Sequence, residues 1–254
     1  MDQFLLFAIV GFGAQLIDAS LGMGFGVIAS SLLLASGVPP PLISTAVNAA
    51  KIPTGLAATL SHRHFGNIDR RILLPVALSG IAGGILGALV LSVLDGPATV
   101  ILVSVCLVVL GLLVIWRSLS KRAPRALARV PVGAIGATGG VIEGIGGSWG
   151  PVVTTGLVAT GVAPRSAIGS SVAAEFAVSV MVFTTLMLTL AGGMWDAGRD
   201  MSQTLLSLAG LVAGGLPAAL VAGWITMRVP RDVVGAGVGA LAVAIGLWRL
   251  FGLA

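Results

Sequence analysis

The sequence predicts an all-α polytopic membrane protein, made of two inverted repeats of four helical segments each. Its 254 residues are 57% hydrophobic and 9% charged, and its mean hydropathy is +1.09. Soluble domains carry about 25% charged residues, so this chain lacks the polar side chains that a water-facing surface needs. Several uncharged stretches reach the roughly 20 residues with which a helix crosses a bilayer.

The prediction of two repeats rests on a glycine-rich motif that occurs once in each half. The first is Ser20-Leu-Gly-Met-Gly-Phe-Gly26 and the second is Ile145-Gly-Gly-Ser-Trp-Gly-Pro151. A constant offset of 124 residues aligns the motifs and also pairs Lys51 with Glu175, two charges embedded in apolar sequence. Duplicated halves with a break at the same place in each are typical of secondary transporters.

Apolar runs between charges and turn residues divide the chain into eight helical segments. Four belong to repeat 1 (1–117) and four to repeat 2 (130–254), with a basic cytoplasmic connector at 118–129. The predicted segments are 4–36, 42–61, 72–94, 98–117, 130–160, 166–191, 202–227 and 233–252.

The first segment of each repeat, 4–36 and 130–160, is predicted to be a broken helix or a re-entrant hairpin. Each is too long for one crossing of about 20 residues and too short for two. Each also has a glycine cluster in its middle, where every Gly costs a helix about 1 kcal/mol relative to Ala. Irregular backbone at that depth must be buried in protein or line a water-filled cavity.

The basic residues favour a cytoplasmic location for one set of connectors. If the first segment of each repeat re-enters, eleven of the fourteen Lys and Arg residues lie on one side and two on the other. If all eight segments cross, the split is ten to three, so the positive-inside rule is obeyed either way. Segment length favours the inverted arrangement, with both termini outside and connectors 62–71 and 118–129 in the cytoplasm.

Four ionisable residues lie within apolar segments: Asp18, Lys51, Glu143 and Glu175. A charge at the bilayer centre costs at least about 2.5–3.5 kcal/mol, so such residues usually face a bundle interior, a partner or a pathway. In pseudo-symmetric halves the four side chains are expected to converge near the midplane. Two interpretations stay open, and they are compatible: structural ion pairs that lock the halves together, or a site for a substrate or coupling ion.

The glycine motifs predict an anion site between two helix ends. A helix that restarts after each break points free N–H groups and a positive dipole end into the break. Close packing of helices through small residues is the alternative explanation of the glycines. The predicted substrate-binding residues are Lys51, Ser20, Gly22, Gly24, Gly26, Asn48, Gly146, Gly147, Ser148 and Gly150.

The four embedded charges suggest a division of roles. Lys51 and the helix ends would hold an anion, because an anion needs compensating charge in a medium of low dielectric constant. Asp18, Glu143 or Glu175 would carry protons, because a desolvated carboxylate takes up a proton more readily than one in water.

Other signals predict no enzyme, cofactor, metal or nucleic-acid partner. No phosphate-binding loop, catalytic triad or metal-ligand cluster occurs in the sequence. His62 and His64 flank Arg63 in a basic connector, and a solvated loop explains them better than a metal site does. Cys106 lies in an apolar run and is expected to be a free thiol. The chain begins with the acidic Asp2 and shows no cleavable signal peptide.

At this point the sequence resembles the TauE/SafE family of sulfite and organosulfonate exporters. The resemblance is carried by Leu21-Gly-Met-Gly-Phe-Gly26, by Gly144-Ile-Gly-Gly-Ser-Trp-Gly-Pro151, and by the proline-containing turns at 37–40 and 161–164. It implies a permease that moves sulfite or a small sulfonate across the bacterial inner membrane. Met23, Phe25 and Trp149 are bulkier than the small residues usual in these motifs, which suggests a larger or more apolar organic anion.

The expected function is therefore secondary transport of a small sulfur-containing anion, with proton coupling as an option. A permease for carboxylates or other organic anions, and a channel-like anion pore, are the alternatives. The expected partners are a small anionic substrate and the lipid bilayer, and a homodimer is left open.

Overall fold

The computed structural model describes residues 3–94, 96–119, 130–197, 201–225 and 231–252, and within these ranges the chain forms eleven helices and no strand. The all-α prediction is therefore confirmed for the described part. The helices are α1 (Gln3–Leu21), α2 (Phe25–Ala35), α3 (Pro40–His64), α4 (Arg70–Val93), α5 (Gly96–Leu119), α6 (Val132–Gly146), α7 (Gly150–Ala159), α8 (Pro164–Ala191), α9 (Met201–Leu220), α10 (Ala222–Ile225) and α11 (Arg231–Phe251).

Four helices in the described ranges are long and apolar enough to cross a bilayer. They span Arg70–Val93, Gly96–Trp116, Pro164–Ala191 and Ser202–Leu220. Large apolar side chains on their outer faces, such as Leu78 and Val109, are exposed in the isolated chain. Exposed apolar side chains on such helices are what a lipid-facing surface requires.

Both predicted helix breaks are present. The first separates α1 from α2 at residues 22–24, and the second separates α6 from α7 at 147–149. Gly22 and Gly147 have nearly identical left-handed backbones, with φ of +67° and +66°, a conformation that side chains with a Cβ rarely adopt. Each glycine N–H donates to the carbonyl four residues earlier, at Asp18 and Glu143 respectively, at 2.7 Å in both cases.

Two details differ from the segment prediction. The predicted segment 202–227 is divided by a turn at Val221 into α9 and the four-residue α10. His62 does not lie in a solvated loop, because α3 continues to His64 and the His62 side chain is fully buried, with Nδ1 3.0 Å from the Asn67 amide nitrogen. Of the connector 118–129, residues 120–129 lie outside the described residues.

The pair α4 and α6 packs closely through glycines and runs in one direction. Gly136 lies against Val76, and Gly144, further along α6, lies against Ala88, further along α4. A Cβ at either glycine would meet backbone atoms of α4. Small residues thus let the two helices approach through their backbones, as in many membrane bundles.

The pair α1 and α9 repeats this arrangement. Gly210 lies against Phe4, and Gly214 lies against Phe12, so these two helices also run in one direction. The pair α5 and α11 packs through Gly111 and other glycines but runs in opposite directions, because residues later in α5 meet residues earlier in α11. Helices α3 and α8 lie at the centre of the bundle and carry Lys51 and Glu175.

The connections between helices gather at two ends of the bundle. At one end, the turn after α2, the end of α4 with the start of α5, and residues 194–196 line a common cavity together with Arg249. At the other end, the Arg165 guanidinium donates to the Asn67 side-chain oxygen, and the Asn67 amide donates to the Gly223 carbonyl at 3.2 Å. The predicted cytoplasmic connector 62–71 lies at this second end.

Candidate functional site

The centre of the bundle contains a buried ion cluster around the Lys51 ammonium. Nζ lies 2.8 and 3.1 Å from the two carboxylate oxygens of Glu143 and 2.6 Å from Oε1 of Glu175. It also lies 2.6 Å from the carbonyl oxygen of Gly147, in the second break. The three ammonium hydrogens therefore already have oxygen partners on three different groups.

Asp18, the fourth embedded charge, is in the last turns of α1, and its carboxylate reaches the N-terminus of α2. Its Oδ1 accepts a hydrogen bond from the Phe25 N–H at 3.3 Å. The carboxylate thus occupies the positive end of the helix that the sequence predicted as an anion-binding position. Asp18, Lys51 and Glu175 together line a small cavity of about 10 Å³, which has room for about one water molecule.

The cluster contains more acid than base. One lysine faces three carboxyl groups, so its formal charge with all four groups ionised is −2. Glu143 is fully buried, and its Oε1 also accepts from the Ser179 hydroxyl at 3.2 Å. Removing charge of this size from water is expensive unless partners or protons compensate it.

The two breaks contact each other reciprocally. A Cβ on Gly26 would overlap the carbonyl oxygen of Gly147, and a Cβ on Gly150 would overlap the carbonyl oxygen of Gly22. Gly26 and Gly150 are equivalent at the offset of 124. Glycine is needed at both positions because the backbone of α2 touches the second break and the backbone of α7 touches the first.

Two hydroxyl groups repeat the reciprocity. Ser30 on α2 donates to the Gly146 carbonyl at 2.6 Å, and Thr154 on α7 donates to the Gly22 carbonyl at 2.7 Å. Ser30 and Thr154 are again 124 residues apart. Each hydroxyl satisfies a carbonyl that a helix break has left without its helical partner.

The remaining predicted donors are used locally. Asn48 donates to the backbone carbonyl of Ser44 at 2.9 Å, and Ser148 donates to the Gly146 carbonyl at 3.3 Å. Ser20 lies in the last turn of α1, and its side chain is outside the described part. Gly24 is the residue immediately before α2 and has φ +148°. As a glycine, it has no side chain with which to cap the helix.

The two aromatic residues of the motifs are core residues here. Phe25 and Trp149 are both almost completely buried. The Trp149 indole N–H donates to the Ser171 hydroxyl at 2.9 Å, and the Ser171 and Thr154 hydroxyl oxygens lie 2.9 Å apart. Because the Thr154 hydrogen is donated to the Gly22 carbonyl, Ser171 is the donor in this second contact. Trp149 therefore holds α7 against α8 through a polar contact as well as by packing.

Sequence reasoning missed three hydroxyl residues near the breaks: Ser30, Thr154 and Ser179. Only the first two carried a usable signal, since they are hydroxyl residues at equivalent positions of the two halves. Among the described residues, no group of three or more His, Cys, Asp or Glu side chains is arranged to hold a metal ion.

Comparison with known proteins places the chain among membrane transporters. The model of the family described as "Sulfite exporter TauE/SafE" matches residues 7–249. The "Probable membrane transporter protein YtnM" of Bacillus subtilis (strain 168) is 33% identical over 259 residues, which cover 96% of this chain and 82% of that protein. No solved structure gives a significant match. The predicted class, a multi-pass transporter of the bacterial inner membrane, is confirmed.

Proposed function

Because the chain belongs to the TauE/SafE sulfite exporter family, we propose that it is a secondary transporter for a small sulfur-containing anion, such as sulfite or an organosulfonate. The observation that carries the proposal is the buried Lys51 at the junction of two broken helices. A cation beside two helix N-termini is the chemistry that an anion needs at the middle of a bilayer.

The proposed architecture is two inverted repeats whose first segments re-enter. Its support is the reciprocity of the contacts between the breaks, since a two-fold relation makes equivalent residues exchange equivalent contacts. The helix directions agree with it. The pair α1–α9 is parallel like its counterpart α6–α4, and α5 runs antiparallel to its own counterpart α11.

Re-entry of the first segment is supported by its two ends. At the start of α1, Gln3 donates to the Gln203 carbonyl at 3.3 Å, in the first turn of α9. Gly37, just after α2, lines the same cavity as residues 194–196, which precede α9. Both ends of the segment are thus close to one end of the bundle, as expected for a hairpin.

The structure of the cluster fits an occluded state of a transport cycle. A cavity of about 10 Å³ beside Lys51 is far smaller than the roughly 300 Å³ at which small-molecule pockets begin. Lys51 must therefore release at least one carboxylate before it binds an anion. This closed centre favours a gated carrier over the alternative of a channel-like pore.

Proton coupling follows from the charge of the cluster. Adding an anion to a site that already has three carboxyl groups and one lysine increases an uncompensated negative charge. Protons on Asp18, Glu143 or Glu175 would offset the anion and would free Lys51 to bind it. The proposed roles are therefore anion binding for Lys51 and the two breaks, and proton carriage for the three acids.

The test is uptake of labelled anions into proteoliposomes that contain the purified protein. Sulfite, small sulfonates and carboxylates are compared, each with and without a pH gradient. We expect uptake of at least one sulfur-containing anion, stimulated by the gradient. Preferential uptake of carboxylates would support the alternative permease, and failure of every anion to move would overturn the proposal. If uptake does not depend on the pH gradient, in the wild type as well as in the Glu143→Gln and Glu175→Gln variants, proton coupling is ruled out.

A further inference from the structure

A second, much larger cavity lies at the end of the bundle opposite the connector 62–71. Its volume is about 420 Å³, which is within the range of roughly 300–1,000 Å³ for small-molecule sites. Its walls come from the turn after α2, the start of α3, the turn between α4 and α5, the loop before α9, and the end of α11. Both halves of the chain therefore contribute to it.

The lining of this cavity combines one guanidinium with apolar walls. Arg249 is the basic side chain among its described lining residues, and Val100, Met194 and Trp195 are among the apolar ones. The Arg249 Nη2 donates to the carbonyl oxygens of Leu34 and Ala35, which holds the guanidinium at the wall of the cavity. A guanidinium has five N–H donors, so donors remain for the acid group of an anionic ligand.

We propose that this cavity is an outer binding site for a singly charged organic anion, whose acid group is held by Arg249 and whose apolar part lies against the cavity wall. This inference rests on the proposed transport function and deepens it, since the ligand belongs to the class of the transported substrate. The site faces the outside, because the opposite end carries the basic connectors.

The charge of the lining selects against ions with two negative charges. Arg249 is the one cation among the described lining residues, so it can offset one of the two charges of a dianion. The second charge would remain uncompensated against apolar walls. A sulfonate or carboxylate with one negative charge loses less binding free energy, and its short hydrocarbon chain gains contact with Trp195 and its apolar neighbours.

The position of the cavity links its occupant to the central cluster. Gly37 and the prolines at 39–41 lie where helix α2 is joined to α3, the helix that carries Lys51. A ligand in the cavity touches this connection directly. An anion that enters from outside would thus contact Arg249 of α11 next to the segment that joins α2 to α3, the helix of Lys51.

The experiment is isothermal titration of the purified protein in nanodiscs with propanesulfonate, butyrate and sulfate. We expect propanesulfonate and butyrate to bind more tightly than sulfate. Arg249→Gln should weaken their binding about ten- to hundredfold, the loss typical of a hydrogen bond between charged groups. Arg249→Lys should restore part of the affinity. Arg63→Gln is the matched control, because Arg63 is exposed at the other end of the bundle.

A second variant keeps the test decisive if Arg249→Gln disturbs the end of α2. Val100→Trp leaves Arg249 in place and fills the cavity, so it should abolish binding while the protein remains folded. Wild-type affinity in both Arg249→Gln and Val100→Trp would overturn the inference.

Transport measurements separate this inference from the proposed function. If the wild-type protein moves anions and Val100→Trp raises the KM for outside substrate, both ideas are supported. If the wild type moves anions and the outer variants change neither binding nor KM, the outer site is wrong and the transport proposal stands. If titration detects the site but no anion is transported, the transport proposal is wrong and the cavity binds a ligand for another purpose.

Discussion

Lys51 shows how a single residue can hold two halves of a membrane protein together. Its ammonium bonds to two glutamates from α6 and α8 and to a carbonyl of the second break. Buried ion pairs are only weakly stabilising as a whole, but removal of one partner leaves uncompensated charge in a medium of low dielectric constant. Loss of Lys51 is therefore expected to cost more stability than its three hydrogen bonds alone would suggest, because its partner carboxylates would stay buried without a cation.

The first prediction concerns this dependence. Lys51→Gln should destabilise the folded protein by about 3–5 kcal/mol, because Glu143 and Glu175 would remain buried without a cation. The loss is measured as a lower temperature of thermal unfolding in detergent. The triple variant Lys51→Gln, Glu143→Gln, Glu175→Gln should recover much of this stability. If the triple variant is no more stable than Lys51→Gln alone, uncompensated charge is not the cause.

At this scale the sequence predicted the charged residues well and the hydroxyl residues poorly. Asp18, Lys51, Glu143 and Glu175 stand out because a charge in an apolar segment needs an explanation. Ser30 and Thr154 do not stand out, because a hydroxyl in a membrane helix usually bonds to its own backbone. Only the fold reveals that their partners are carbonyls of the opposite half.

The two broken helices are the elements on which the site depends. Each has a left-handed glycine at the break and a hydroxyl from the other half on a freed carbonyl. Their backbones approach so closely that neither Gly26 nor Gly150 has room for a Cβ. The contact between the breaks is therefore a matter of backbone shape more than of side-chain chemistry.

The second prediction tests that contact. Gly26→Ala should lower the stability and the folded yield by at least the 1–3 kcal/mol typical of overpacking, because its Cβ overlaps the Gly147 carbonyl. Gly150→Ala should have a similar effect through Gly22. The measurement is the fraction of monodisperse protein after extraction, together with its unfolding temperature.

Gly13→Ala is the control for these two variants. Gly13 is in α1 and has no atom within 4 Å of an added Cβ. Alanine there should leave stability unchanged or raise it by about 0.5–1 kcal/mol through helix propensity. Equal losses for Gly13→Ala and Gly26→Ala would show that helix flexibility, and not the close approach, explains the motif.

The sequence predicted both breaks, but not how they meet. Segment length and the glycine clusters were enough to place the interruptions within 4–36 and 130–160. The turn at Val221 had no such signal, because residues 202–227 form one continuous uncharged run and Pro217 lies inside α9. Hydropathy reports the polarity of a run, and it does not report where tertiary packing interrupts its helix.

For the whole molecule, the third prediction tests the inverted topology. In a Cys106→Ser background, Ile68→Cys and Val162→Cys should react with a thiol reagent only when the reagent has access to the cytoplasmic face. Val38→Cys and Met194→Cys should react from the outside. A membrane-impermeant maleimide applied to intact cells and to inverted vesicles measures the difference.

The pair Val38 and Val162 is decisive in this experiment. The two positions are equivalent at the offset of 124, and each follows a broken segment. If the broken segments re-enter, the two cysteines are labelled from opposite faces. Labelling of Val38→Cys and Val162→Cys from one face would mean that the broken segments cross, and the inverted arrangement would then be wrong.

The reciprocal contacts between the breaks have a consequence for the origin of the chain. Under the proposed inverted arrangement, a single half would leave its break carbonyl and the surface at Gly26 uncovered, so it would need a second, oppositely inserted copy. Two first halves would bring together two Asp18 and two Lys51, a neutral set, whereas two second halves would bring together four glutamates. Once the two halves have different sequences, one position can hold the cation while its counterpart is an acid, as Lys51 and Glu175 are here.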